Sequence, residues 1–167
     1  MNTSLTNSYQ STSKVSKNSW ITDPSIEDPD NLPEPLGWCL LVRPYPIVPN
    51  RANSSLILPQ TEMDFLNHVS NIGRVVAVGD SCWTRPEHRN SKGEFNPWAK
   101  VGDFISYPKN VGARRKFKDV SFVILVDDEI LEKLPDPQVF DDGFLKLDIP
   151  QEHMEKYNTI HNKKESK

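Results

Sequence analysis

The apolar residues of this chain fall in short runs of strand length, each bounded by proline, glycine or aspartate. Trp38 to Arg43 stops at Pro44-Tyr45-Pro46. Ile72 to Asp80 is rich in β-branched residues and closes on Gly79-Asp80. Phe104 to Tyr107 alternates and stops at Pro108, and Phe122 to Val126 runs into Asp127-Asp128-Glu129. Several short strands separated by such loops predict an all-β fold, a small β-barrel. The three acids read as a helix N-terminus, where the positive end of the dipole favours them, with Ile130 to Leu134 as a single closing turn before Pro135. The chain shows no internal repeat.

The rest of the chain is poorer in apolar residues. Of the whole, 36% is hydrophobic and the mean hydropathy is −0.60, and the deficit lies at the ends. Met1 to Asn31 is mostly Asn, Ser, Thr, Lys, Asp and Pro. Such a composition buries too little apolar surface to offset its ordering entropy and reads as a tail. The expected division is an N-terminal polar extension over 1–34, a barrel over 35–135 and a C-terminal extension over 136–167. In the last of these, Asp142-Gly143 with alternating Leu145, Leu147 and Ile149 suggests a hairpin. Gln151 to His161 could form a brief helix with Met154, Tyr157 and Ile160 on one side. Two long loops interrupt the barrel. One spans about 47–70 and carries a lone apolar triplet, Leu56-Ile57-Leu58. The other spans about 81–100 and carries Trp83 and Trp98. Loops this long in a compact domain are usually functional.

Charge and motifs narrow the function. A net charge of −3 argues against general nucleic-acid or membrane binding. The basic group Lys109, Arg114, Arg115, Lys116 and Lys118 reads as a solvated strand edge guarded by its charges. No window approaches a membrane span, and no signal peptide is visible, so the expected location is the cytoplasm. Cys39 and Cys82 read as free thiols there. His68, His88, His153 and His161 are too dispersed to form a metal set, and His88, between Glu87 and Arg89, reads as facing water. No phosphate-binding glycine loop, nucleophile elbow or Cys–His pair is present. The chain reads as a non-enzyme without a cofactor.

The order of the pieces resembles the GroES-like (ten-kilodalton) co-chaperonin family. Pro35-Leu36-Gly37-Trp38-Cys39-Leu40-Leu41-Val42-Arg43 is similar to that family's first strand. Gly73-Arg74-Val75-Val76-Ala77-Val78-Gly79 is similar to its second, Val101-Gly102-Asp103 to its Val-Gly-Asp turn, and Phe122 to Leu134 to its end. The resemblance implies a mobile loop over about 47–70 whose tip, Ser54-Ser55-Leu56-Ile57-Leu58, binds a GroEL-type chaperonin in an ATP-dependent cycle. Serines stand where the family has glycines, and serine is less free at positive φ. It further implies a homo-oligomeric ring, a heptamer in that family, enclosing an unfolded client protein. Strand edges near Leu40, Leu41, Ile124 and Leu125 are expected at the subunit interface, and 81–100 corresponds to the roof hairpin. The long extensions are of the kind found in divergent phage-encoded members. The alternative is a structural assembly protein, such as a virion component, built on the same barrel.

Burying three apolar residues contributes on the order of 4–9 kcal/mol, while fixing a long loop costs ~1–2 kcal/mol per residue. One loop therefore binds weakly and several on a ring bind tightly, yet reversibly. Because few apolar residues anchor Arg51 to Ser70, limited trypsin digestion of the free protein is expected to cut early at Arg51. Resistance there would favour a core strand at Leu56 to Leu58.

Overall fold

The computed structural model describes residues 20–49, 59, 61–62, 71–135, 145–147 and 149–155. Its strands are β1 (Cys39–Pro44), β2 (Ile47–Pro49), β3 (Ile72–Val78), β4 (Phe104–Ser106), β5 (Ala113–Phe117), β6 (Val120–Val126), β7 (Glu132–Leu134) and β8 (Leu145–Leu147). Six of them form one antiparallel sheet in the order β5-β6-β1-β3-β4-β7, and β2 pairs with β8 alone. The all-β expectation holds. The short apolar runs became β1, β3, β4 and β6, with ends shifted by a residue or two. The basic stretch is an edge strand, β5, joined to β6 through Lys118 and Asp119. Both have positive φ, as a two-residue hairpin turn of the matching twist requires.

One expectation changes. Ile130 to Leu134 is not a helical turn: a 3-10 turn occupies Asp127–Glu129, and β7 follows it. The outer edge of β4 decides this. Leu131 N–H donates to the Ser106 carbonyl at 2.9 Å, and the ladder continues through Ile105↔Lys133 and Phe104↔Leu134. Pairing with an existing strand satisfies more backbone groups than one isolated helical turn can.

Alternation along the strands builds two faces. Leu40, Val42, Val75, Ile105, Val123 and Leu125 form the main core with Tyr107, Trp83 and Ile130. Leu41, Val120 and Phe122 point the other way, against Val76, Ala77 and Leu32. A register shift between Leu41 and Val42 pairs them with Ala77 and Val75. That bulge leaves Val76 without a partner on β1 and puts two consecutive β3 side chains on the outer face. Gly79 has a backbone reason: a Cβ there would sit 2.3 Å from the Gly37 carbonyl oxygen and 2.8 Å from that of Cys39.

The polar composition of the N-terminal extension hides how tightly its second part is held. Residues 20–32 are packed, which shortens the tail expected over Met1 to Asn31. Ile21 is buried. Thr22 Oγ1 accepts the Ser121 N–H at 2.8 Å and donates to the Asp119 carbonyl at 2.8 Å. Ser121 Oγ in turn donates to the Trp20 carbonyl. Further on, Asp28 receives Arg43 Nη1 at 2.6 Å and Arg74 Nη2 at 2.5 Å, while Arg43 Nη2 donates to the carbonyls of Asp23 and Ile26. Arg43, at 1% exposure, is as buried as the core. In the C-terminal extension, β8 pairs with β2 rather than with a neighbouring strand of its own, and 151–155 is helical as expected. The segment expected to supply the other half of a hairpin, 136–144, and Tyr157 and Ile160 lie outside the described residues.

Burial alone would raise the Asp28 carboxyl, but the charges and hydrogen bonds of Arg74 and Arg43 outweigh it and hold the group below its ordinary value of 3.8. A lowered carboxyl contributes stability that is complete above the ordinary value and is lost as pH falls through the folded one. Asp28→Asn is therefore expected to cost about 2–3 kcal/mol near neutral pH. Urea melts should show the gap to wild type closing only below the ordinary carboxylate range.

Candidate functional site

The loop 47–70 leaves the barrel through β2 and returns at β3. Its two feet are joined below it: Tyr45 N–H donates to the Ile72 carbonyl at 3.2 Å, and Tyr107 N–H to that of Asn71 at 2.9 Å. Tyr45 is fully buried, with its ring 5.4 Å from that of Phe104. Its hydroxyl accepts Arg74 Nε at 3.1 Å and lies 2.7 Å from His153 Nδ1. Burial raises the phenol above its ordinary 10.0 despite the opposing Arg74 and Arg43 charges, so the oxygen keeps its proton. Ile47, Ile72, Phe104, Leu147 and Met154 pack around the same tyrosine. Ser54, Ser55, Leu56, Ile57 and Leu58, the expected contact residues, lie outside the described residues.

The second loop, 81–100, is tied to the barrel by one carboxylate. Asp127 is fully buried and accepts the Trp83 N–H at 2.6 Å on Oδ2 and Arg85 Nη2 on Oδ1. Its role as a helix-start acid is therefore minor. Trp83 holds a positive φ of 57°, a costly conformation for an aromatic residue, which the Asp127 bond and its burial sustain. Arg85 also covers the Trp38 ring at 5.0 Å and reaches Asp128 at 3.4 Å. His88, expected to face water, is buried: its Nε2 lies 3.7 Å from Asp127 Oδ2, and its ring meets Trp98 edge-on at 4.6 Å. Local sequence gives no sign of this, because the partners of Asp127 lie 42 and 44 residues away.

The Cys82 thiol is pushed up to about 11 by burial and by Asp127, so it is not a thiolate near neutral pH. Its Sγ donates to the Cys39 carbonyl at 3.3 Å, and both cysteines are free thiols. Among the described residues no group of three His, Cys, Asp or Glu could hold a metal ion. No helix there is long and apolar enough to cross a membrane.

The residues expected at the subunit interface lie elsewhere than at an edge. Leu40, Leu41 and Leu125 are buried and Ile124 is half-buried. β1 is paired on both sides, by β3 and β6, and β6 by β5 and β1. The most apolar strands took the centre of the sheet because only there are both faces covered. Within the six-stranded sheet, β5 and β7 are the outer strands. Leu36 and Leu131, exposed by 78% and 65%, are the most exposed large apolar side chains among the described residues.

A small all-β fold with one long loop rooted at β2 and β3 and a second tied in by Asp127 has the architecture of the co-chaperonin kind. The family model for the chaperonin 10 Kd subunit matches residues 34–134, and the chain belongs to that family. A GroES-type co-chaperonin role follows in general terms, with partnership to a GroEL-type chaperonin and assembly into a ring. Comparison with curated proteins gives no match.

Because the loop 81–100 hangs on Asp127, Asp127→Ala is expected to cost about 2–4 kcal/mol, since it leaves Trp83 N–H and Arg85 without their acceptor. Urea denaturation should register the loss, and tryptophan emission of the folded variant should shift to the red as Trp83 becomes wetter.

Proposed function

We propose that this chain caps a GroEL-type chaperonin through the triplet Leu56-Ile57-Leu58, flanked by Ser54 and Ser55, in the loop between β2 and β3. The observation that carries the reading is the family match itself: the loop falls inside the matched region, between the strand ending at Pro44 and the one beginning at Ile72. In this reading the copies form a ring, a heptamer, through the outer strands β5 and β7 and the exposed Leu36 and Leu131. Leu40, Leu41, Ile124 and Leu125 are the packed interior behind those strands. The partner hydrolyses ATP in the cytoplasm and the ring closes over an unfolded client. This chain contributes binding and no chemistry.

Substituting an acid at the tip tests it. Ile57→Asp places an unpaired carboxylate in an apolar groove, at a cost of several kcal/mol per subunit, and the ring multiplies the loss. Nucleotide-dependent capture by a GroEL-type ring should vanish while circular dichroism stays unchanged. Light scattering should give a multiple of 19.1 kDa for both proteins. A wild type that is never captured, or a variant that unfolds, would instead make the barrel a structural assembly module.

A further inference from the structure

Two segments outside the sheet meet at the base of the loop 47–70, one preceding the barrel and one following it. Asp28 Oδ2 accepts Arg74 Nη2 at 2.5 Å, Arg74 Nε donates to Tyr45 Oη at 3.1 Å, and Tyr45 Oη lies 2.7 Å from His153 Nδ1. Four side chains from four separate parts of the chain thus form one continuous chain of polar contacts. Each foot of the loop is gripped by one of the two outer segments. The returning foot carries Arg74 on β3, which is held by Asp28. The outgoing foot is β2, held by β8 in the register Ile47↔Leu147, Val48↔Lys146 and Pro49↔Leu145. Met154 and Leu147 are buried against Ile47, Ile72 and Phe104. Segment 145–155 lies wholly beyond the family match, which ends at 134, so this grip is an addition to the barrel.

We infer that Tyr45 is a positioning residue for the capturing loop: its hydroxyl couples the segment before the barrel to the segment after it and fixes the direction in which the loop leaves. The inference rests on the proposed role of that loop. A loop whose first three residues are already paired starts nearer its bound geometry and loses less entropy on capture. A loop with β2 released must order those residues again when it binds. Burial of Tyr45, with Arg74 at its hydroxyl and Arg43 over its ring, makes the hydroxyl hard to replace.

Three variants of the full-length chain test this: Tyr45→Phe, which removes only the hydroxyl; His153→Ala; and Met154→Asp, which puts a charge among the apolar residues under the clip. Amide hydrogen exchange of β2 and β8 should quicken on the order of tenfold or more in each. Exchange in β1 over Leu40 to Val42 and the mass of the ring should stay unchanged. Capture by a GroEL-type ring should weaken on the order of tenfold per loop, through the ordering cost of the released residues. Unchanged exchange in β2 for Met154→Asp would overturn the clip. Quickened exchange with undiminished capture, while Ile57→Asp still abolishes it, would overturn the positioning role and leave the loop's own role standing. A wild type that is never captured removes the positioning role together with the reading it rests on, and exchange then still reports whether the clip exists.

Discussion

The guanidinium of Arg43 is the constraint around which the N-terminal half of this structure is arranged. It sits on β1, the strand with neighbours on both sides, and is as buried as the leucines beside it. An uncompensated charge in that position would cost several kcal/mol, so its donors must be met from within the protein. Asp28 meets one, and the carbonyls of Asp23 and Ile26 meet others. A segment too polar to pack on its own account is thereby drawn onto the sheet, bringing Ile21 and Leu32 with it to cover apolar surface. Because Asp28 serves Arg74 with its second oxygen, the same carboxylate also sets the foot of the long loop.

The base of the loop 81–100 and the feet of the loop 47–70 are held by different contacts. The loop 81–100 is drawn inward: Trp83, His88 and Ala99 are buried, and Asp127 binds it near its start. A carboxylate sharing a backbone N–H and an arginine fixes the loop's path and leaves it little freedom to reach a distant partner. The described feet of the loop 47–70 are held from outside the sheet, the outgoing one by β8 and the returning one by Asp28 through Arg74.

The sheet was legible in the sequence because its strands are short apolar runs with turn residues at their ends, and periodicity alone locates such elements. Ordered together, the runs around Leu40, Val75 and Val123 also carry the family resemblance, which the match over 34–134 bears out. Three things were out of reach. β7 was read as a helical turn because Ile130 to Leu134 follows three acids, and only the waiting edge of β4 makes it a strand. Residues 20–31 were read as a tail because composition counts apolar residues and gives no weight to Asp28, whose worth depends on arginines 15 and 46 residues away. For the same reason His88 read as facing water and Asp127 as a helix-start acid. Local patterning registers propensity and burial face, and partners brought together by the fold lie beyond it. The loop tip at Ser54 to Leu58 is proposed from the resemblance alone.

The pairing of β2 with β8 also bears on the order in which a subunit is completed. Ile47 and Leu147 are a hundred positions apart, and contacts of such sequence separation form late because the intervening chain must first be brought together. The sheet from β1 to β7 is complete in the chain before β8 has been synthesised. Until β8 docks, the six-stranded sheet can be in place while β2 lacks its partner. At that stage β2 exposes a short open edge of backbone donors and acceptors. The strand that covers it, β8, follows the whole sheet in the chain, so it doubles as a cap on a strand that would otherwise wait for a partner from another chain.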